Sequence, residues 1–194
     1  MKSTPKQQPN KTREKALVHA RKLFAKQGFE ATSMVEIARL SGIEKPSLYY
    51  FFENKECIFA EVMESVWEEA STKLNRMRDK GVKVHKSPRN YFTAILNLVL
   101  DTFLKAGMTM TKVDSLKNKG HTDFEKKYAG MFKHIGEMRL HLQEFLKSNR
   151  VKDPGLAELV IGNAIHAYVI HAQCKTPTVS PKKYAEYLSK LFIK

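Results

Sequence analysis

The chain is poor in the features that hold small secreted or metal-bound folds together. Its 194 residues include only two cysteines, Cys57 and Cys174, far apart and outside any paired motif. Neither a disulfide framework nor a cysteine-based zinc cluster fits that pattern, and a reducing compartment does. No apolar run is long enough to cross a bilayer; the richest, LAELVIGNAIHAYVIHA, is broken by Glu158, Asn163 and His166. The opening MKSTPKQQPNK has no apolar h-region and does not read as a secretory signal, so the expected setting is the cytoplasm, with no membrane partner. Strand signals are almost absent. Acidic residues are few as well: 20 Asp and Glu stand against 34 Lys and Arg, a formal net charge of +14. A surplus of that size points to a polyanionic partner, whether nucleic acid, an anionic membrane surface or an acidic protein.

What is present is a series of helix starts. In TREKALVHARKLFAKQGF, Leu17, Ala20, Leu23 and Phe24 recur at helical spacing and Gly28 supplies a stop. Ser33 with Glu36 three residues later forms a capping box, each side chain satisfying a free backbone donor, and opens a short helix ending near Gly42. A third helix spans about Lys45 to Phe51. Asn54 caps a fourth that ends near Gly81, and Ser87 before Pro88 opens a fifth. TMTKVDSLKNKG reads as a brief helix or a loop. Thr122 with Glu125 opens a long helix to about Asn149, and Asp153-Pro154 and Ser180-Pro181 open the last two. The sum is an all-α protein of about nine helices without internal repeats. It divides into a basic tail and three-helix domain over residues 1–54 and a helical domain over 55–194.

The second and third helices are joined by LSGIEK, whose glycine permits the sharp bend of a helix-turn-helix. Such a motif lays its last helix in the major groove of DNA. At 100° per residue, Leu48, Phe51 and Phe52 fall on one side of that helix. Lys45, Pro46, Tyr49 and Tyr50 fall on the other, with Ser47 at its margin. The phenylalanines are expected to anchor the helix. The outward tyrosines offer hydroxyls to phosphates and base edges, with Lys45 adding charge. Lys55 begins the fourth helix, where the helix dipole disfavours a cation; a DNA phosphate held there by the free N–H groups and the lysine would explain the placement. The tail, with Lys2, Lys6 and Lys11, is a candidate for minor-groove contact beside the plainer reading of a solvated end.

From about Lys11 to Met63 the chain resembles the TetR family of transcriptional regulators. The resemblance rests on Phe24, Gly28, Thr32-Ser33, Ile37-Ala38, Gly42, Leu48-Tyr49, Phe52 and Lys55-Glu56. It implies a dimeric, all-helical repressor-type protein whose C-terminal domain binds a small molecule and thereby releases a double-stranded, palindromic operator. By matching position, Ser33, Tyr49 and Lys55 would touch phosphates. Lys45, Pro46, Ser47 and Tyr50 would face bases or groove walls, and Met34 joins the DNA-contacting set. Phe51 stands where many members have histidine, and Val35 where some have a basic residue. A member acting as activator, or a sequence-tolerant DNA-structuring protein without a ligand, is the alternative function.

The C-terminal domain says less. Phe92, Leu96, Val99 and Phe103 form a stripe that in most proteins is plain core. As candidates for an effector pocket they join Met63, Trp67, Met131 and Phe132, since rings and thioethers suit adaptable apolar cavities, together with Ile135 and His166. His134 and His141 share a helix face, and His171 follows His166 by five, but none has the close spacing of a zinc helix, so no metal or other cofactor is expected. No serine, cysteine or carboxylate pair makes a catalytic arrangement, so no enzyme is expected. The helix after Pro154 is apolar on most of its circumference, more than one side of a monomer needs. A homodimer contact is therefore expected there and on the last helix, through Leu159, Gly162, Ile165, Val169, Tyr184 and Leu188.

Overall fold

A computed structural model describes residues 9–84, 86–106, 126, 128–173 and 179–193. Among these residues the fold is all-α, with eight helices rather than about nine and no strand. In chain order they are α1 (Pro9–Ala31), α2 (Met34–Ser41), α3 (Lys45–Phe51), α4 (Lys55–Val84), α5 (Pro88–Ala106), α6 (Ala129–Ser148), α7 (Pro154–Gln173) and α8 (Pro181–Phe192). The TMTKVDSLKNKG segment, the Thr122–Glu125 start, Lys2, Lys6 and Cys174 lie outside the described residues.

Short polar side chains set most helix starts. The N–H of Glu36 donates to Ser33 Oγ at 3.1 Å, that of Cys57 to Asn54 Oδ1 at 2.9 Å and that of Asn90 to Ser87 Oγ at 3.1 Å. Leu156 donates to Asp153 Oδ1 at 2.9 Å and Lys183 to Ser180 Oγ at 3.4 Å. Each bond satisfies a donor that the helix leaves free, worth typically about 1 kcal/mol. The box at Ser33 is only half formed, because the Glu36 carboxylate accepts from Gln27 Nε2 at 2.8 Å rather than turning back to the cap. The two bends of the N-terminal domain need glycine. Gly28 (φ 80°, ψ 174°) breaks α1 before a last turn to Ala31, and Gly42 (φ 68°, ψ 35°) closes α2 in the left-handed region.

α4 is the axis of the molecule, packing on α1, α5 and α6; α5 also packs on α8, and α6 on α7. Its first turns meet α1 through a cluster of rings. Phe59 lies edge-on to Phe24 (centroids 5.1 Å apart) and to Phe29 (4.8 Å), and all three are buried. Such pairs add about 0.5 to 1.5 kcal/mol each beyond simple burial. Two ion pairs join the same pair of helices. The Arg13 guanidinium donates to both oxygens of Glu61 at 2.6 Å, and Arg21 to both oxygens of Glu69 at 2.6 and 3.0 Å. The Arg21 hydrogen bond holds the Glu69 carboxyl below its usual range and raises the guanidinium in turn. α1 and the N-terminal half of α4 are thus fastened by the ring cluster and by both ion pairs.

Candidate nucleic-acid interface and effector cavity

The inner side of α3 is held by Leu48, fully buried, with Phe52 directly after the helix nearly so. Phe51 is only half-buried, edge-on to Tyr50 at 5.3 Å, so one phenylalanine rather than two anchors this end deeply. The outer side is bare. Lys45, Pro46 and Ser47 are exposed, Tyr49 is 45% exposed and Tyr50 84%. Lys45 Nζ lies 5.7 Å from the Tyr49 ring centre, a cation–π contact one helical turn long. Ser33 is also exposed, with its Oγ engaged at the α2 cap. Met34 departs from expectation: at 9% exposure it is packed in the core, because the turn that seats α2 on α1 carries it inward. Val35, 55% exposed, is the residue at that helix start that faces out.

Lys55 also differs from its expected role. Its ammonium donates to Phe29 O at 2.8 Å and Thr32 O at 2.7 Å, approaches Glu30 O at 3.4 Å, and sits 4.3 Å from the Phe29 ring centre. An ammonium has three donors, and three carbonyls at the end of α1, just past the break at Gly28, receive them. The cation stands at a helix N-terminus because it closes the turn between α1 and α2, and the backbone N–H groups of α4 are what remains for an anion. Lys55→Met is expected to cost about 2 kcal/mol of stability, the range for hydrogen bonds to a charged group, and to leave the salt dependence of DNA binding almost unchanged. A melt and a salt titration of the variant check this. An unchanged melt with a slope lower by about one unit would return Lys55 to the phosphate-binding set.

Behind this domain lies a cavity of about 430 Å³. It brings together six of the residues expected to line one: Trp67 from α4, Leu96, Val99 and Phe103 from α5, Ile135 from α6 and His166 from α7. Trp67 and Phe103 meet edge-on at 5.0 Å. Met63, Phe92 and Met131, expected with them, are fully buried in the packed core, and Phe132 is 36% exposed on the outer side of α6. Four wall residues that the sequence did not single out, Leu74, Ile95, Met138 and Leu142, are further apolar members of the same inward stripes. The polar wall was missed too. Glu158, 7% exposed, accepts from Arg139 Nε at 2.9 Å, Arg139 Nη2 at 3.1 Å and Gln143 Nε2 at 3.3 Å. The one available signal was Glu158 itself, a carboxylate interrupting the most apolar run of the chain.

The expected dimer residues divide. Ile165, Val169 and Leu188 are buried within the subunit. Tyr184 is half-buried, stacked on Tyr168 at 4.5 Å and donating to Ala164 O at 2.8 Å, so it ties α8 to α7. Leu159 (56% exposed) and Gly162 remain outward and also line the cavity. Beside them the bare apolar surface of α7 and α8 consists of Leu156, Val160, Tyr187 and Leu191, each 47 to 61% exposed. Among the described residues no cluster of metal-ligating side chains occurs, and no helix is long and apolar enough to cross a membrane. His141 is instead bonded to Tyr91 OH at 2.9 Å, its pKa lowered by burial and by Arg78, and His134 lies 3.3 Å from Glu137.

This geometry defines a class: an all-helical protein with an N-terminal helix-turn-helix and a cavity in the helical body behind it. The chain matches, over residues 16–62, the family described as bacterial regulatory proteins, tetR family. It is similar to the HTH-type transcriptional regulator QacR of Staphylococcus aureus, with 30% identity over 119 residues, 55% of this chain and 63% of that one. It also resembles the HTH-type transcriptional repressor ComR of Escherichia coli, with 32% identity over 99 residues, 50% of this chain and 47% of that one. The matches thus span less than two thirds of these curated relatives. A crystal structure of a TetR-family regulator from Mesorhizobium loti superposes with a TM-score of 0.67, covering 96% of this chain and 97% of that one. At 16% identity, it shares the fold.

Proposed function

We propose that the protein is a homodimeric DNA-binding transcriptional regulator of the cytoplasm, a repressor that a small, largely apolar effector releases from a two-fold operator. The observation that carries this reading is the bare outer side of α3, where Tyr49, Tyr50 and Lys45 project beside a helix pinned from behind by Leu48. Rings left in water next to an ammonium suit a surface of phosphates and base edges. The division into a reader over residues 1–54 and an effector-binding and dimerisation domain over 55–194 has α4 as its joint. That helix starts against the reader at Lys55 and passes the cavity at Trp67 and Leu74.

An occupant of the cavity would touch α4 and α7 together. To act as a switch it must favour one placement of α4 over another, since a ligand indifferent to the two states shifts nothing. The Arg13–Glu61 and Arg21–Glu69 pairs would carry a displacement of α4 into α1 and so into the reader. The bare stripe of α7 and α8, set against its copy across a two-fold axis, would form a four-helix contact and hold two readers for two half-sites about 34 to 36 Å apart.

Selection from a random pool of duplexes at physiological salt tests the reading. Enrichment of one palindrome is expected, with affinity falling steeply as salt rises. Binding without enrichment would favour the sequence-tolerant, DNA-structuring alternative, and no binding in dilute salt would end both.

A further inference from the structure

The cavity carries information about the charge of its occupant. Among the described residues its charged wall members are Arg139 and Glu158, bonded to each other through two N–H···O contacts, and Gln143 supplies Glu158 with a third donor. Their formal charges cancel. A carboxylate ligand seeking Arg139 would either share it with Glu158, setting two anions side by side, or draw it away and leave a buried anion without its cation. An ammonium seeking Glu158 would have to displace a bidentate guanidinium. Either displacement breaks the bidentate contact of Glu158, whose side chain is 10% exposed while that of Arg139 is 60% exposed, and a buried carboxylate parted from its cation is costly.

Two other polar atoms on the wall have no such engagement. Trp67 Nε1 and His166 Nε2 are buried and, among the described residues, bonded to nothing. An indole N–H can only donate, while an imidazole nitrogen donates or accepts according to its tautomer. A buried polar atom without a partner costs about 1 to 3 kcal/mol, so these two atoms are where a ligand gains most by supplying one. A hydroxyl suits each of them, accepting from the indole or meeting the imidazole in either tautomer; a carbonyl oxygen suits the indole or a protonated Nε2. Elsewhere on the wall Leu96, Val99, Phe103 and Ile135 offer hydrocarbon, with Asn163 a further polar side chain whose amide N–H donates to Leu159 O.

We propose that the occupant is an uncharged amphiphile, an apolar body with one hydroxyl or carbonyl oxygen, recognised by Trp67 and His166 and not by the Arg139–Glu158 pair. This rests on the reading of the cavity as the effector site and narrows its ligand class. At about 30 Å³ per non-hydrogen atom, the share of a molecule in liquid water, a cavity of 430 Å³ holds on the order of fourteen such atoms.

Trp67 is the single tryptophan of the chain, so its indole N–H gives one resonance and reports from the site itself. The experiment titrates 1-decanol, below its solubility limit, and decanoate and decylammonium, below their micelle concentrations, into the full-length protein at neutral pH. Decanol is expected to shift the indole resonance saturably, and the two charged probes to bind at least about tenfold more weakly. His166→Leu is expected to weaken decanol about tenfold while the indole shift is retained at saturation. The proposal is overturned if either charged probe binds as tightly as decanol, if decanol leaves the indole unmoved, or if the His166 variant binds decanol as the parent does. Duplex affinity measured in the same samples separates the two ideas. A charged probe that binds in preference and releases DNA would sink the ligand class and keep the effector site; decanol bound at Trp67 without effect on DNA would do the reverse.

Discussion

Replacing Tyr49 and Tyr50 together by alanine is expected to weaken binding to a selected duplex by a hundredfold or more while the protein melts within a few degrees of its parent. The two halves of this expectation have separate grounds. Tyr50 is 84% exposed and Tyr49 45% exposed, and surface changes of that kind usually move stability by about half a kcal/mol or less. The contact of Lys45 with the Tyr49 ring, at 5.7 Å, adds about 0.5 kcal/mol at an exposed site. On the DNA side each hydroxyl bonded to a phosphate or a base edge contributes about 1.5 kcal/mol, so a pair removes about 3 kcal/mol per reader, and every 1.4 kcal/mol is a factor of ten. Fluorescence anisotropy against the duplex, with a thermal melt of the same sample, makes the comparison. Undiminished affinity would show that α3 is not the reading helix. A melt lowered by ten degrees or more would show that the rings hold up the fold and would remove the strongest support for the proposed function.

The face of α3 could be read in advance because it is a one-body property. Seven residues at a fixed angular step sort themselves into an inner and an outer side whatever they later touch, and Leu48 and Tyr50 fell where the step put them. The caps at Ser33, Asn54, Ser87, Asp153 and Ser180 were legible for the same reason, since each acts on a donor only three residues away. Relations between distant segments were not. Nothing within ten residues of Lys55 announces that carbonyls of residues 29 to 32 close on its ammonium, or that Arg13 and Arg21 find carboxylates on α4 forty-eight positions later.

Periodicity also cannot tell packing from space. Phe92 and Phe103 belong to one stripe of α5, yet the first is stacked on Phe145 in solid core and the second lines a cavity beside Trp67. Met34 shows the converse error. Its position was matched to a DNA-contacting set, whereas the seat of α2 on α1 turns it inward and brings Val35 to the surface.

α7 poses the same difficulty at the level of assembly. Its apolar residues cover most of the circumference, and only the neighbours decide which half serves the subunit. Ile161, Ile165 and Val169 went to the core; Leu156, Leu159 and Val160 stayed bare, with Tyr187 and Leu191 beside them on α8. Leu156→Asp combined with Leu191→Asp is therefore expected to convert a dimer into a protein sedimenting at the monomer mass of 22.3 kDa at micromolar concentration. Both leucines are more than half exposed in the subunit and neither lines the cavity, so the monomer should keep its helical content and its Trp67 fluorescence. Across a two-fold axis each new carboxylate would lose water without gaining a partner and would be brought near its own copy, and both effects oppose association. DNA binding should fall with it by about two orders of magnitude or more, because two readers joined in one dimer engage the second half-site at an effective concentration that free monomers lack. A variant that stays dimeric would move the contact off α7 and α8. One that becomes monomeric yet binds the palindrome undiminished would show that a single helix-turn-helix suffices, leaving the bare stripe without the role assigned to it.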